Sequence, residues 1–194
     1  MLTEFEKRSF YFLNWTLLFY VSRQLEILPL PESPDAIQFG PDAQWMKLRD
    51  ALYDNPALFG RYADDNPEGL PDELLDEVRS WRHFLRSDFI YYKSIAKHAV
   101  FLDGKPPHLA YGVLAPNKPI EQVLDRQPPV PVQAVLLPFR GRIVYDGRLS
   151  SWPIELGPGL RAALADDYRK AVAQRGVITS LPRRVLHIDE GRRD

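Results

Sequence analysis

Four histidines, His83, His98, His108 and His187, stand in a chain with no cysteine. The missing thiol removes disulfides, thiolate nucleophiles, iron–sulfur clusters and cysteine-ligated zinc together. Any metal would need histidine and carboxylate ligands, and only His98, Asp103 and His108 lie close enough to converge, if the segments flanking "GKPPH" pair. With no third histidine at helical or short spacing they read as strand-edge residues, and no metal is expected. A hydrolytic triad fares no better, because the nucleophile elbow G-x-S-x-G is missing and Ser150-Ser151 sits in no comparable turn. Asp146 beside a histidine would make an acid–base pair, but as the first residue of an Asp-Gly turn it needs no chemistry to explain it.

Two nucleotide- and ion-binding patterns fail on inspection. Gly157-Pro158-Gly159-Leu160-Arg161-Ala162 matches G-x-G-x-x-A, which binds a dinucleotide when it joins a buried strand to a helix. Here Pro158 removes an N–H from the loop, and Pro153 and Glu155 spoil the strand before it. The segment reads as a helix entry, and no cofactor is expected. "DDNPEG", Asp64 to Gly69, begins like a calcium loop but reaches Leu75 where the bidentate carboxylate belongs.

"PVQAVLLPFRGRIVYDG", residues 131–147, is the most suggestive stretch. Val132 to Phe139 is apolar on both faces apart from Gln133, as expected for a strand covered on both sides. Arg140-Gly141 makes a tight connection, and Asp146-Gly147 a second, type I′, turn before a strand near Leu149 to Leu156. These two turns would gather Arg140, Arg142 and Arg148 beside Phe139 and Tyr145, a cluster able to grip phosphates and stack on bases. The competing reading pairs the arginines with residues 31–77, which hold 12 acidic and 3 basic side chains. No recognition-helix, RNP-like or zinc-finger pattern accompanies them.

The elements that must position these residues change character along the chain. Thr3 and Glu6 form a capping box that opens a helix running to about Ile27. Its middle, Phe10 to Val21, is apolar nearly all round, so Phe12, Trp15, Leu18 and Phe19 are expected to be buried. At twelve residues, with Asn14 and Thr16 inside, the stretch falls short of the about 20 apolar residues a membrane span needs. No small-residue cleavage site follows it. A proline-rich connection, residues 29–41, leads to a second helix opened by Pro41, a short third one that Asn55 can cap, and a fourth opened by Pro71 with Leu74, Val78, Trp81 and Leu85 on one face. From Asp88 the segments FIYY, HAVFLD and LAYGVLA read as antiparallel strands, residues 93–97 fitting either a turn or a helical turn. Pro119 to Leu124 suits a short helix. A last helix carries Leu160, Leu164, Tyr168 and Val172 on one face and stops at Gly176.

"FYFLNWTLLFYVSRQ", "SWRHFLRSDFIYYKSIAKHAVFL" and "VLLPFRGRIVYDG…ELGPGL…DDYRKA" together resemble a group of bacterial proteins to which no activity is attached. The resemblance covers most of the chain and rests on apolar, aromatic and turn residues, so it implies a shared fold and carries over no functional residue. The expected architecture is one α+β domain over 1–194: a mainly helical segment over 1–87, an antiparallel sheet of five or six strands over 88–156, a C-terminal helix over 157–176 and a tail over 177–194. The sheet is expected to be covered by the N-terminal helices and the C-terminal helix. The leading functional expectation is a cytoplasmic, non-enzymatic protein-interaction or regulatory module with an unidentified protein partner. Nucleic-acid binding through Arg140, Arg142 and Arg148 comes second, and an enzyme using histidine and carboxylates third. No membrane partner is expected.

Overall fold

The computed structural model describes residues 1–27 and 42–181. The proline-rich connection, its Pro41 helix start and residues 182–194 of the tail lie outside the described residues. The chain divides into two compact units, a helical one of Met1–Arg82 with Leu114–Arg126 and a second of His83–Val113 with the chain from Gln127 onward.

The helical unit is built from α1 (Glu4–Leu25), α2 (Asp42–Asp54), α3 (Ala57–Asp65), α4 (Asp72–Ser80) and the short α5 (Ile120–Leu124). The capping box is present: Glu6 N–H donates to Thr3 Oγ1 at 3.3 Å, and Thr3 N–H donates to Glu6 Oε2 at 3.0 Å. Burial of α1 differs from the all-round expectation. Phe10, Leu13, Leu17 and Val21 form the buried stripe, and Phe19 is also buried, whereas Trp15 and Leu18 are half-buried and Phe12 is 47% exposed. The helix packs on α2 and α3 along one side, and helical periodicity then leaves the line through Phe12 outward. Trp15 meets Trp45 edge-on at 4.9 Å between ring centroids, and Phe10 lies 5.6 Å from Trp81.

Two hydroxyl groups of α1 are paired with another helix of this unit, α3. Thr16 and Tyr62 share a 2.7 Å hydrogen bond, and Tyr20 OH donates to Asp65 Oδ2 at 2.6 Å. Burial first, then that hydrogen bond, pushes the Tyr20 phenol up to about 12. Arg79 reaches Asp64 at 3.1 Å and Asp76 at 2.9 Å, tying α3 to α4. The fourth helix ends at Ser80 and a 3₁₀ turn, Trp81–His83, so Leu85 opens a strand instead of lying on a helix face. Asn55 does not cap α3: its amide donates to Ala51 O at the end of α2, at 2.9 Å.

The second unit contains β1 (Leu85–Ile95), β2 (His98–Asp103), β3 (Ala110–Leu114), β4 (Val130–Phe139), β5 (Arg142–Ser151), α6 (Pro158–Arg175) and β6 (Val177–Ile178). The pairing order is β2-β1-β4-β5-β3-β6, and β2 also pairs with β3, so the first five strands close into a ring. β1 is long enough to pair with β4 over Leu85 to Tyr91 and with β2 over Phe89 to Ile95. Every ring pairing from β3 through β2, β1 and β4 to β5 is antiparallel. An odd-membered ring cannot alternate throughout, so β3 and β5 run in the same sense where it closes. The sheet is therefore mixed, not purely antiparallel. β6, in the segment expected to be tail, adds a second parallel pairing through Ala110 and Tyr111.

Period-2 alternation sends Phe89, Tyr91, Phe101 and Tyr111 to the same side, where Phe89 lies 5.9 Å from Phe101 and 6.0 Å from Tyr111, and Tyr91 lies 5.9 Å from Phe101. These rings fill the barrel. On the outward face, Val100, Leu102 and Ala110 pack against Leu156, Leu164 and Ala171, with Ile90, Tyr92, Tyr168 and Val172 at the margin. The helix α6 thus covers the outward face of β1, β2 and β3. Leu160 is 52% exposed, contrary to the four-residue spacing, because Leu156, ahead of the helix, joins that cluster instead.

Candidate functional site

The β4–β5 connection is the expected hairpin. Arg140 at φ 50° and Gly141 at φ 73° form its two central residues, closed by the pair Phe139 and Arg142. The second expected turn is not a turn. Ala134 pairs with Leu149 and Leu136 with Tyr145, so Asp146, Gly147 and Arg148 oppose Val135 alone and form a bulge within β5. Gly147 supplies the positive φ of 91°, and the buried Asp146 accepts the Arg148 N–H at 3.2 Å. An Asp-Gly pair satisfies either geometry. The ladder to β4, which continues on both sides, selects the bulge.

That difference separates the predicted cluster. Arg140 and Arg142 stand at the hairpin tip, and Arg148 lies in the bulge, on the order of 15 Å down the strand. The Arg140 guanidinium lies 5.5 Å from the centroid of Phe139. Phe139 and Tyr145 are 0% and 2% exposed, so neither ring presents a face on which a base can stack.

The histidines also diverge. His98 sits at the β1–β2 turn, opposite Ile95, while His108 lies beyond the other end of β2. His108 Nδ1 donates to the backbone carbonyl of Asp103 at 2.5 Å, and its Nε2 lies 3.4 Å from Asp167 Oδ2 on α6. The Asp103 carboxylate is not the partner. Among the described residues no group of three His, Cys, Asp or Glu side chains is placed to hold a metal ion. The G-x-G segment is a helix entry, with Gly157 as N-cap, Pro158 at the first helical position and no strand over residues 152–157. In "DDNPEG", Asn66 closes a turn with Leu70 through hydrogen bonds of 2.7 and 3.0 Å.

The His98 ring packs against Gly112 of β3. A Cβ at Gly112 would come within 2.8 Å of its ring atoms, so any larger residue there would displace the imidazole from this position. Burial, and secondarily Lys97, hold its pKa below the usual histidine value. A histidine depressed in the folded state favours folding above its unfolded pKa, about 6.5, and loses that contribution as pH falls through the folded value. Urea midpoints followed from pH 7.5 to 5 should therefore decline, and His98→Phe, which keeps an aromatic ring against Gly112 without a titratable nitrogen, should flatten the decline. An identical slope in the variant would assign the effect to other groups.

One polar cleft of about 410 Å³ opens on the barrel unit, lined by Arg86, Ser87, Asp88, Gly104, Lys105 and Gln133. Asp88 and Gln133 are cross-strand partners on β1 and β4, and the Gln133 amide donates to Asp88 Oδ1 at 3.3 Å. The loop after β2 is drawn onto β1 by the Gly104 N–H, which donates to Asp88 O at 3.0 Å. Any Cβ on Gly104 would lie 2.7 Å from that same carbonyl oxygen. This contact sets Lys105 beside β1. Sequence reasoning missed all six residues, because a strand pairing across 45 positions assembles them; the only local sign was a glycine ahead of a lysine in "DGKPPH".

Comparisons with protein-family models, with curated proteins and with solved structures find no match. Among the described residues no helix is long and apolar enough to cross a membrane.

Proposed function

We propose that this chain is a non-enzymatic protein-interaction module that docks a partner on the outward line of α1. The supporting observation is the row Phe5, Arg8 and Phe12, at spacings of three and four residues, with Phe5 71% and Phe12 47% exposed. Lys7 is engaged by Glu4 at 3.4 Å, whereas Arg8 has no ion pair among the described residues. An apolar line interrupted by one cation suits an amphipathic partner helix carrying a carboxylate between its apolar anchors. The test is affinity capture from the native host with nuclease present. Phe5→Asp with Phe12→Asp should abolish recovery of a partner, Arg8→Glu should weaken it by about tenfold, and Arg140→Ala with Arg142→Ala should leave it intact. Retention by the first pair, with folding preserved, would overturn the assignment, and so would a captured partner that is a second copy of this chain.

A second reading, nucleic-acid binding, is favoured by connectivity. A ring ordered β1-β2-β3-β5-β4 with a helix between β3 and β4 is the connectivity of the OB barrel, which binds oligonucleotides across strands 2 and 3 and through the β1–β2 and β4–β5 loops. Those loops here carry Lys97 and Arg140. The strand face itself lies under α6, which restricts this reading to the loops. It remains an analogy of fold, and fold alone does not assign function.

A further inference from the structure

We propose that the polar cleft beside Gly104 binds a sugar phosphate, a site independent of the α1 docking line. Arg86 and Asp88 share the outward side of β1 with Ile90 and Tyr92, by period 2. The apolar half of that face is covered by α6, and the charged half lines the cleft. Its volume, about 410 Å³, is in the range of small-molecule sites.

The lining sorts into two chemistries. Arg86 and Lys105 bring cationic donors from two different chain segments, which suits separate oxygens of one tetrahedral phosphate. Among the described residues the Lys105 ammonium has no ion pair. The floor supplies acceptors. Asp88 uses Oδ1 for the Gln133 amide, leaving Oδ2 with no partner among the described residues, and the Gln133 carbonyl oxygen lies alongside. A ligand that is anionic at one end and rich in hydroxyl donors at the other satisfies both halves. A bare anion would leave the acceptors unused and face the Asp88 carboxylate.

Titration of the full chain with inorganic phosphate, ribose 5-phosphate and a 5′-phosphorylated oligothymidylate tests this, read from the amide resonances of Gly104 and Lys105. Ribose 5-phosphate should bind about tenfold or more tightly than phosphate. Lys105→Ala should weaken both by about tenfold, the loss of one charge-assisted contact. Asp88→Asn should leave phosphate affinity unchanged while removing most of the sugar's gain. Both side chains are exposed, and a circular dichroism spectrum confirms that each variant folds. A further gain with the oligothymidylate would place the sugar phosphate at a nucleic-acid end, and no gain would place it on a free metabolite. Equal affinity for phosphate and ribose 5-phosphate, or wild-type affinity in Lys105→Ala, would overturn the site. Neither result bears on partner capture by α1.

Discussion

Phe101→Ala should destabilise the barrel unit by about 3–5 kcal/mol, the usual cost of truncating a fully buried phenylalanine. Phe101 is 0% exposed and lies 5.9 Å, centroid to centroid, from both Phe89 and Tyr91. The two rings that remain beside it, both on β1, cannot close over the void, because each is committed to that strand's ladder. Domains are stable by only about 5–15 kcal/mol, so the variant should unfold at a much lower urea concentration and lose near-ultraviolet dichroism from the ring cluster. The helical unit offers an internal control: Phe12→Ala, at a half-exposed site, should cost well under half as much. Equal costs for the two would mean that the aromatic cluster does not hold the barrel together.

That contrast also marks how much of the structure was legible beforehand. The Thr3–Glu6 box, the Arg140-Gly141 turn and the Pro119 helix start are decided within a few residues, and each is found as read. The burial of α1 is not local. Phe12 and Leu13 are equivalent by composition, and only the placement of α2 and α3 sends one outward and the other in. Asp146-Gly147 carries the signal of a turn and becomes a bulge because β4 runs past it. Ring closure is less visible still: it depends on a same-sense pairing between β3 and β5, and short apolar runs carry no mark of their partners. The cleft is the extreme case, since Asp88 and Gln133 meet only once the register of β1 on β4 is set.

Leu164→Asp should release α6 from the barrel. Leu164 is 5% exposed among Val100, Leu102 and Ala110, with Leu156 and Ala171 beside it. Keeping the helix docked would require an ionised carboxylate in that apolar seat, at a cost of several kcal/mol beyond the lost leucine packing. Undocking the variant exposes Leu156, Ala171, portions of Tyr168 and Val172 and the barrel side chains beneath them, offset by the chain entropy regained and by full rehydration of the carboxylate. The cheaper escape wins, so the helix leaves and the barrel, whose interior rings are untouched, stays folded. Amide exchange should report it: α6 should exchange nearly as fast as an isolated 18-residue helix, which is marginal in water, while β1 and β4 keep their protection. The variant should also bind a hydrophobic dye and self-associate, since Val100, Leu102, Ile90 and Tyr92 become one exposed apolar patch. On the OB analogy the same patch would be the oligonucleotide face. It offers one tyrosine beside Lys93, whose ammonium lies 4.2 Å from the Tyr168 ring centroid in the docked state, and otherwise aliphatic side chains. Single-stranded DNA should therefore gain less than about tenfold in affinity on release, one stacking contact at most. A hundredfold gain, with the barrel still protected from exchange, would identify α6 as a mask over a nucleic-acid site and reverse the order of the two functional readings.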